Sequence, residues 1–168
     1  MRGTLGTEDE AGQATGQGHG GDGFEAFFSA AWPGAVRLAA LLTQDRAAAE
    51  ELAQDAFTRM FRTWTRVVNP EAYLRTCLVN NCHNWRRRAG VREAKLPLLV
   101  TAASVDLGAD DLADAVAGLP FRQRAVIVLR YYGGLSEAEI GEALGCRNGT
   151  VKSLSSRALA RLGRVIER

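Results

Sequence analysis

Residues 135–154 read LSEAEIGEALGCRNGTVKSL, and this stretch decides the fold. Ser136 followed three residues later by Glu139 is a capping box, which opens a short helix with Ile140, Ala143 and Leu144 facing inward. Gly145 ends that helix. After Cys146, either Arg147 or Asn148 starts the next one, where Val151, Leu154, Ala158 and Leu162 recur at i, i+3, i+7 and i+11. Helix, tight glycine turn, helix is the helix-turn-helix layout, whose second helix has the dimensions of the DNA major groove.

Charge agrees with that reading. From Leu144 to the C-terminus, Arg147, Lys152, Arg157, Arg161, Arg164 and Arg168 face only Glu167, a balance of +5. Upstream, the helical pattern extends back to about Ala109, so residues 109–168 form one small helical domain.

Working further outward, residues 24–90 carry nine basic against six acidic side chains and three amphipathic stripes. Phe24, Phe27 and Phe28 begin the first, which the Trp32-Pro33-Gly34 break is expected to interrupt before Val36, Leu38, Leu41 and Leu42 resume it. Asp45 is placed to cap a second helix running to about Trp64, with Leu52, Ala53, Ala56, Phe57, Met60, Phe61 and Trp64 inward. Its opposite face shows Glu51, Gln54 and Asp55, which would repel DNA and suit a basic protein surface, although a plain solvated face reads the same way. Asn69-Pro70-Glu71 starts a third helix with Leu74 and Leu78 inward, ending in Arg86-Arg87-Arg88 before Ala89-Gly90.

On that third helix Asn80, His83, Asn84 and Arg87 share a polar face with Trp85 close by. Amides, a stacking ring and guanidinium groups are the equipment for holding an opened DNA strand. Arginines complementing a helix C-terminus, with His83 idle, fit the spacing equally well.

The ends of these two domains differ in composition. Residues 1–23 hold eight glycines and a net charge of −3, with Leu5 as the one large apolar side chain after Met1, and are expected to be disordered. Residues 91–108 show no sustained period and contain Pro97. They read as a flexible linker able to span roughly 60 Å at about 3.3 Å per residue. The expected class is therefore all-α: two small helical domains, a linker and a disordered tail.

Much chemistry is excluded. At 168 residues with a net charge of +2 the chain suits one medium domain or two small ones. No run of 18 or more apolar residues occurs, and no basic n-region with an apolar h-region opens the chain. Cys77, Cys82 and Cys146 form no Cys-x-x-Cys pair and read as reduced, buried small hydrophobes in a cytoplasm. With no phosphate loop, no His-nucleophile pair and no ligand cluster, neither catalytic residues nor a metal site nor a cofactor is expected.

Two ordered motif sets now carry a resemblance. In the first domain they are Leu42-Thr43 with Asp45, Ala49-Glu50-Glu51-Leu52-Ala53-Gln54-Asp55-Ala56-Phe57, Pro70-Glu71-Ala72-Tyr73-Leu74-Arg75, and Leu78-Val79-Asn80 leading into Trp85-Arg86-Arg87-Arg88. In the second they are Leu119-Pro120, Arg122-Gln123-Arg124-Ala125-Val126, Leu129-Arg130-Tyr131-Tyr132, Leu135 to Ile140, and Gly149-Thr150-Val151-Lys152-Ser153. Residues 24–168 resemble the extracytoplasmic-function (ECF) sigma factors of bacterial RNA polymerase, most nearly the actinobacterial SigE-like subgroup.

The resemblance implies that residues 24–90 are sigma domain 2 and residues 109–168 sigma domain 4. Glu51, Gln54 and Asp55 would dock on the clamp helices of the largest polymerase subunit. Asn80, His83, Asn84, Trp85, Arg86, Arg87 and Arg88 would read and open the minus-ten element. The C-terminal domain would bind the polymerase flap and set Arg147, Asn148, Thr150, Lys152, Ser153, Ser156 and Arg157 against the minus-35 major groove. An anti-sigma factor is a further partner it implies, with no membrane insertion and no small-molecule substrate. Two departures stand out: Leu154-Ser155 where many members have arginine then leucine, and Arg147 where a small capping residue is common. The rival readings are a stand-alone helix-turn-helix regulator and a sigma-like interaction module that does not initiate.

Overall fold

Asp45 sets the first turn of the molecule. In the computed structural model, which describes residues 19–93 and 111–166, helix α1 (His19–Thr43) stops where Gln44 turns left-handed at φ 62°. Asp45 is extended, and its Oδ1 accepts from the Ala48 amide at 2.9 Å, capping α2 (Arg46–Phe61). The Thr43 hydroxyl locks the same turn by donating back to the Ala39 carbonyl at 2.8 Å. A 3₁₀ turn (Trp64–Arg66) leads to Asn69, whose Oδ1 accepts from the Ala72 amide at 3.0 Å to cap α3 (Pro70–Glu93).

These three helices close on one another through small residues. Ala39, Ala49, Ala53, Ala56 and Cys82 are fully buried, and so close an approach of helix axes needs side chains of that size. Phe24, Phe27, Phe28 and Trp32 surround Phe57 on the outer edge, with the Phe28 and Phe57 rings 4.8 Å apart in an edge-to-face pair. By length and composition Gly23–Thr43 matches a membrane span, yet Ala35, Leu38, Ala39, Ala40 and Leu42 on it are buried in the core of this bundle.

The second unit follows the reading of residues 135–154. Ser136 Oγ accepts from the Glu139 amide and Glu139 Oε2 accepts from the Ser136 amide at 2.8 Å, so both halves of the capping box open α6 (Glu137–Leu144). Gly145 ends it at φ 60°, ψ 43°. Helix α7 (Asn148–Ile166) then begins with the Arg147 carbonyl accepting from Thr150 and Val151, which makes Arg147 its cap position. Gly141 lets the turn close: a Cβ there would lie 2.8 Å from the Cys146 carbonyl oxygen. Before this motif come α4 (Asp111–Ala117) and α5 (Phe121–Ile127), the latter widening into a π-helical turn over Val128–Tyr132.

The two units pack on each other. Leu129, Leu135 and Ile140 share one apolar core with Ala35, Leu38, Leu74 and Leu78. Across the seam Arg124 Nη1 donates to the Leu42 carbonyl at 2.8 Å, and Arg75 faces Glu139 at 4.0 Å.

Several features differ from the sequence reading: α2 ends at Phe61 and not near Trp64, and Phe61, expected inward, is 59% exposed. Residues 19–23 of the expected tail lie in α1, and residues 1–18 fall outside the described residues. Trp32-Pro33-Gly34 is not a break. Pro33 sits inside α1 on its solvent side, and the Trp32 ring against Phe28 and Phe57, with Ala35 and Leu38 buried beyond, offsets one forfeited hydrogen bond. Helix α3 continues past Gly90 to Glu93, and residues 94–110, most of the expected linker, lie outside the described residues.

Candidate nucleic-acid interface

Helix α7 divides its residues between two faces. Val151, Leu154, Ser155, Ala158 and Leu162 turn inward, so both members of the Leu154-Ser155 departure face the core. Arg147, Asn148, Thr150, Lys152, Ser156 and Arg157 are exposed and Ser153 is half-buried, so all seven expected residues lie off the buried stripe. Arg157 donates to the Ser153 hydroxyl at 3.4 Å, one turn away. Lys152 lies 3.7 Å from Glu137, which also holds Arg130 at 3.5 Å; such exposed pairs are weak and exchange readily for phosphate.

Glu139 is the electrostatic anchor of the motif. Hydrogen bonds from the Ser136 amide and hydroxyl, with a smaller contribution from Arg75, hold its carboxyl below the usual carboxylate range.

On α3 the seven expected residues split into three groups. Asn84, Arg87 and Arg88 are exposed at the helix C-terminal part. Trp85 is half-buried against the core, and Arg86 donates to the Thr43 carbonyl at 3.3 Å, completing the C-terminus of α1. Asn80 and His83 are exposed but lie beside the second unit: the His83 and Phe121 rings are 5.2 Å apart. On α2, Glu51, Gln54 and Asp55 are all exposed opposite the buried Leu52, Ala53 and Ala56.

Two features escaped the sequence reading. The first is an open pocket of about 390 Å³ at the turn into α3, lined by Thr63, Arg66, Val67, Asn69, Tyr73 and Thr76, beside Val68, which is 98% exposed. The pair Val67-Val68 between two helices, outside any helical stripe, was the available signal. The second is Arg124, 2% exposed, donating to Leu42, Ala117 and Leu119 carbonyls. Burial, and then Arg86 nearby, lower its guanidinium pKa to about 10. A second arginine two residues after Arg122, directly before the apolar run Ala125-Val126-Ile127, was the signal there.

Cys77 and Cys82 are buried as expected; burial raises both thiols, Cys82 to about 12, while Cys146 is half-buried. Among the described residues no group of three His, Cys, Asp or Glu side chains is placed to hold a metal ion.

Residues 28–92 match Sigma-70 region 2 and residues 109–162 match Sigma-70, region 4. RNA polymerase sigma-E factor of Streptomyces avermitilis is 34% identical over 152 residues, covering 86% of this chain and 85% of that protein. ECF RNA polymerase sigma factor SigL of Mycobacterium tuberculosis is 35% identical over 136 residues, covering 70% and 73%. Among solved structures, the sigma factor RpoE of Bartonella quintana, in complex with the anti-sigma factor NepR, has a TM-score of 0.71 at 25% identity, covering 87% of this chain and 98% of that one.

Proposed function

This chain belongs to the ECF sigma factors of RNA polymerase, and from that membership we propose how its surfaces divide the work of initiation. The chain directs promoter recognition, binding core polymerase and promoter DNA. Glu51, Gln54 and Asp55 are assigned to the clamp helices of the largest polymerase subunit, and the second unit to the flap. The exposed face of α7, with Arg147, Asn148, Thr150, Lys152, Ser153, Ser156 and Arg157, is assigned to the minus-35 major groove. Helix α3, from Asn80 through His83, Asn84, Trp85, Arg86, Arg87 and Arg88, is assigned to the minus-ten element. Arg86 acts there mainly by joining α1 to α3, while Asn84, Arg87 and Arg88 reach the strand. The open pocket of about 390 Å³ beside Tyr73 is assigned to an unstacked base of the same strand.

The observation that carries this reading is the pairing of two exposed cationic helix faces, α3 and α7, in separate units, with a carboxylate face on α2. Binding energy on duplex and single strand then offsets the cost of opening the DNA, with no catalytic group of its own. The site of action is cytoplasmic, and an anti-sigma factor is a further partner. The stand-alone regulator is not favoured, because the N-terminal unit matches Sigma-70 region 2.

Reconstitution with core polymerase on a randomised promoter library tests the whole reading. Initiation from templates sharing paired upstream and downstream motifs is expected, and Asp55→Arg is expected to abolish core binding while leaving the affinity of the second unit for duplex DNA unchanged. Core-dependent initiation absent on every template rejects the reading.

A further inference from the structure

We propose that Arg130 is a contact for a DNA backbone phosphate beside the minus-35 groove, and that Glu137 is the carboxylate that occupies the phosphate's place until DNA arrives; this rests on the function proposed above. Arg130 Nη1 donates to Glu137 Oε1 at 3.5 Å, and Lys152 Nζ lies 3.7 Å from Glu137 Oε2. Two cations from different elements thus converge on the two oxygens of one carboxylate. A phosphodiester presents the same partner, one negative charge spread over two oxygens.

The backbone aims Arg130 at this point. Gln123 through Leu129 are all buried, and the chain leaves that run in the π-helical turn. There the Gly133 amide donates to the Val128 carbonyl at 3.0 Å and the Leu135 amide to the Leu129 carbonyl at 3.1 Å. The wider turn brings Arg130 to the surface beside the start of α6, and turns of this kind are frequent at functional positions. In a helix-turn-helix the second helix enters the major groove while the first crosses the backbone flanking it. Glu137 opens the first of these helices and Lys152 lies on the second. The group that meets Arg130 is therefore a phosphate and not a base edge, and Lys152, released by the same exchange, is free to turn to the groove.

Glu137 can leave its place, whereas its neighbour Glu139 cannot. Glu139 accepts from the Ser136 amide at 2.8 Å and the Ser136 hydroxyl at 2.7 Å, and so holds the helix start. Among the described residues the Glu137 carboxylate meets only Arg130 and Lys152, whose side chains are 41% and 68% exposed. Ion pairs that exposed hold weakly, and evicting this carboxylate breaks nothing that α6 needs. While it stays, it cancels one of the two positive charges at the edge of the α7 face. Glu137 therefore lowers the affinity for duplexes of every sequence by a similar factor.

Salt-dependent equilibrium binding of the full chain, reconstituted with core polymerase, to a duplex promoter selected by that enzyme tests this. Glu137→Gln keeps the shape and removes the charge. It is expected to bind about three- to fivefold tighter at about 0.1 M salt and to steepen the log-log slope by about one. Arg130→Gln is expected to bind more weakly by a similar factor, with a slope shallower by about one. In the double variant the gain from Glu137→Gln should fall to less than about half, since one of the two cations it releases is missing. Loss of fold cannot imitate a gain in binding. If Glu137 served instead to order the two cations for DNA, its replacement would weaken binding. A Glu137→Gln chain that binds no tighter, or an Arg130→Gln slope equal to that of the unaltered chain, overturns the proposal.

A second arm uses the free full chain at low salt on a duplex of arbitrary sequence, and needs no polymerase. Equal affinities of the three chains there also overturn the proposal. The expected ranking there, with no template initiated by the reconstituted enzyme, overturns the functional reading and leaves the phosphate contact standing.

Discussion

Arg124 shows how one side chain serves two levels of structure. Its guanidinium satisfies carbonyls at the turn before α5 and one at the end of α1, while its Nε has no partner. Replacing it with methionine leaves those carbonyls orphaned in an apolar surrounding. Arg124→Met is expected to cost about 2–4 kcal/mol, read as a lowered midpoint in urea denaturation. The cysteines give a second residue-level expectation. Cys77 and Cys82 are buried with raised thiol pKa values, so a thiol reagent at neutral pH should titrate Cys146 alone in the native chain and all three in denaturant. Fast reaction of two or three native thiols contradicts the burial described above.

At the scale of the element, the caps decide where helices begin. Glu139 has its carboxyl below the ordinary value because Ser136 donates to the ionised form. A depressed carboxyl contributes stability above its unfolded-state value and loses it as pH falls through the folded-state value. The start of α6 should therefore loosen only below the usual glutamate range near 4.5. Ser136→Ala is expected to move the Glu139 titration upward, seen by carboxyl NMR, and to lower the melting temperature. Charge reversal at Lys152 or Arg157 should leave α7 folded, since both are exposed, and weaken upstream-element use by about 1–3 kcal/mol per lost base contact. Competition between promoters with intact and altered minus-35 elements measures it.

Elements of this kind were the legible part of the sequence. Asp45, Asn69, Ser136 and Gly145 each mark a boundary by local chemistry alone, and the i, i+3, i+7 stripe of Val151, Leu154 and Ala158 assigns the faces of α7. Pro33 misleads for the complementary reason. Its local preference breaks a helix, and the aromatic contacts that override it come from Phe57, on another helix.

The molecule as a whole was less legible. Periodicity places a residue inward but does not say whether the inward side belongs to its own unit or to a neighbour. Ile140 reads as core of a helix-turn-helix and in fact joins a core shared with α1 and α3. The same holds for the candidate interface: the polar face of α3 was visible in Asn80, His83, Asn84 and Arg87, whereas Phe121 beside His83 was not. If four to six of the exposed cations meet phosphates in the polymerase complex, its promoter affinity should fall with salt at a log-log slope of about −4 to −5. A slope near zero in a filter-binding titration contradicts that charge assignment.

The bond between Arg124 and Leu42 spans 82 residues of chain. A ribosome adding about 5–20 residues per second leaves the carbonyl end of α1 waiting roughly 4–16 seconds for its donor. During that interval α2 and then α3 are made and can pack on α1, while α5, which carries the donor, does not yet exist. Each newly made molecule thus passes once through a stage in which the carbonyl end of α1 lacks the partner that the second unit later brings to it.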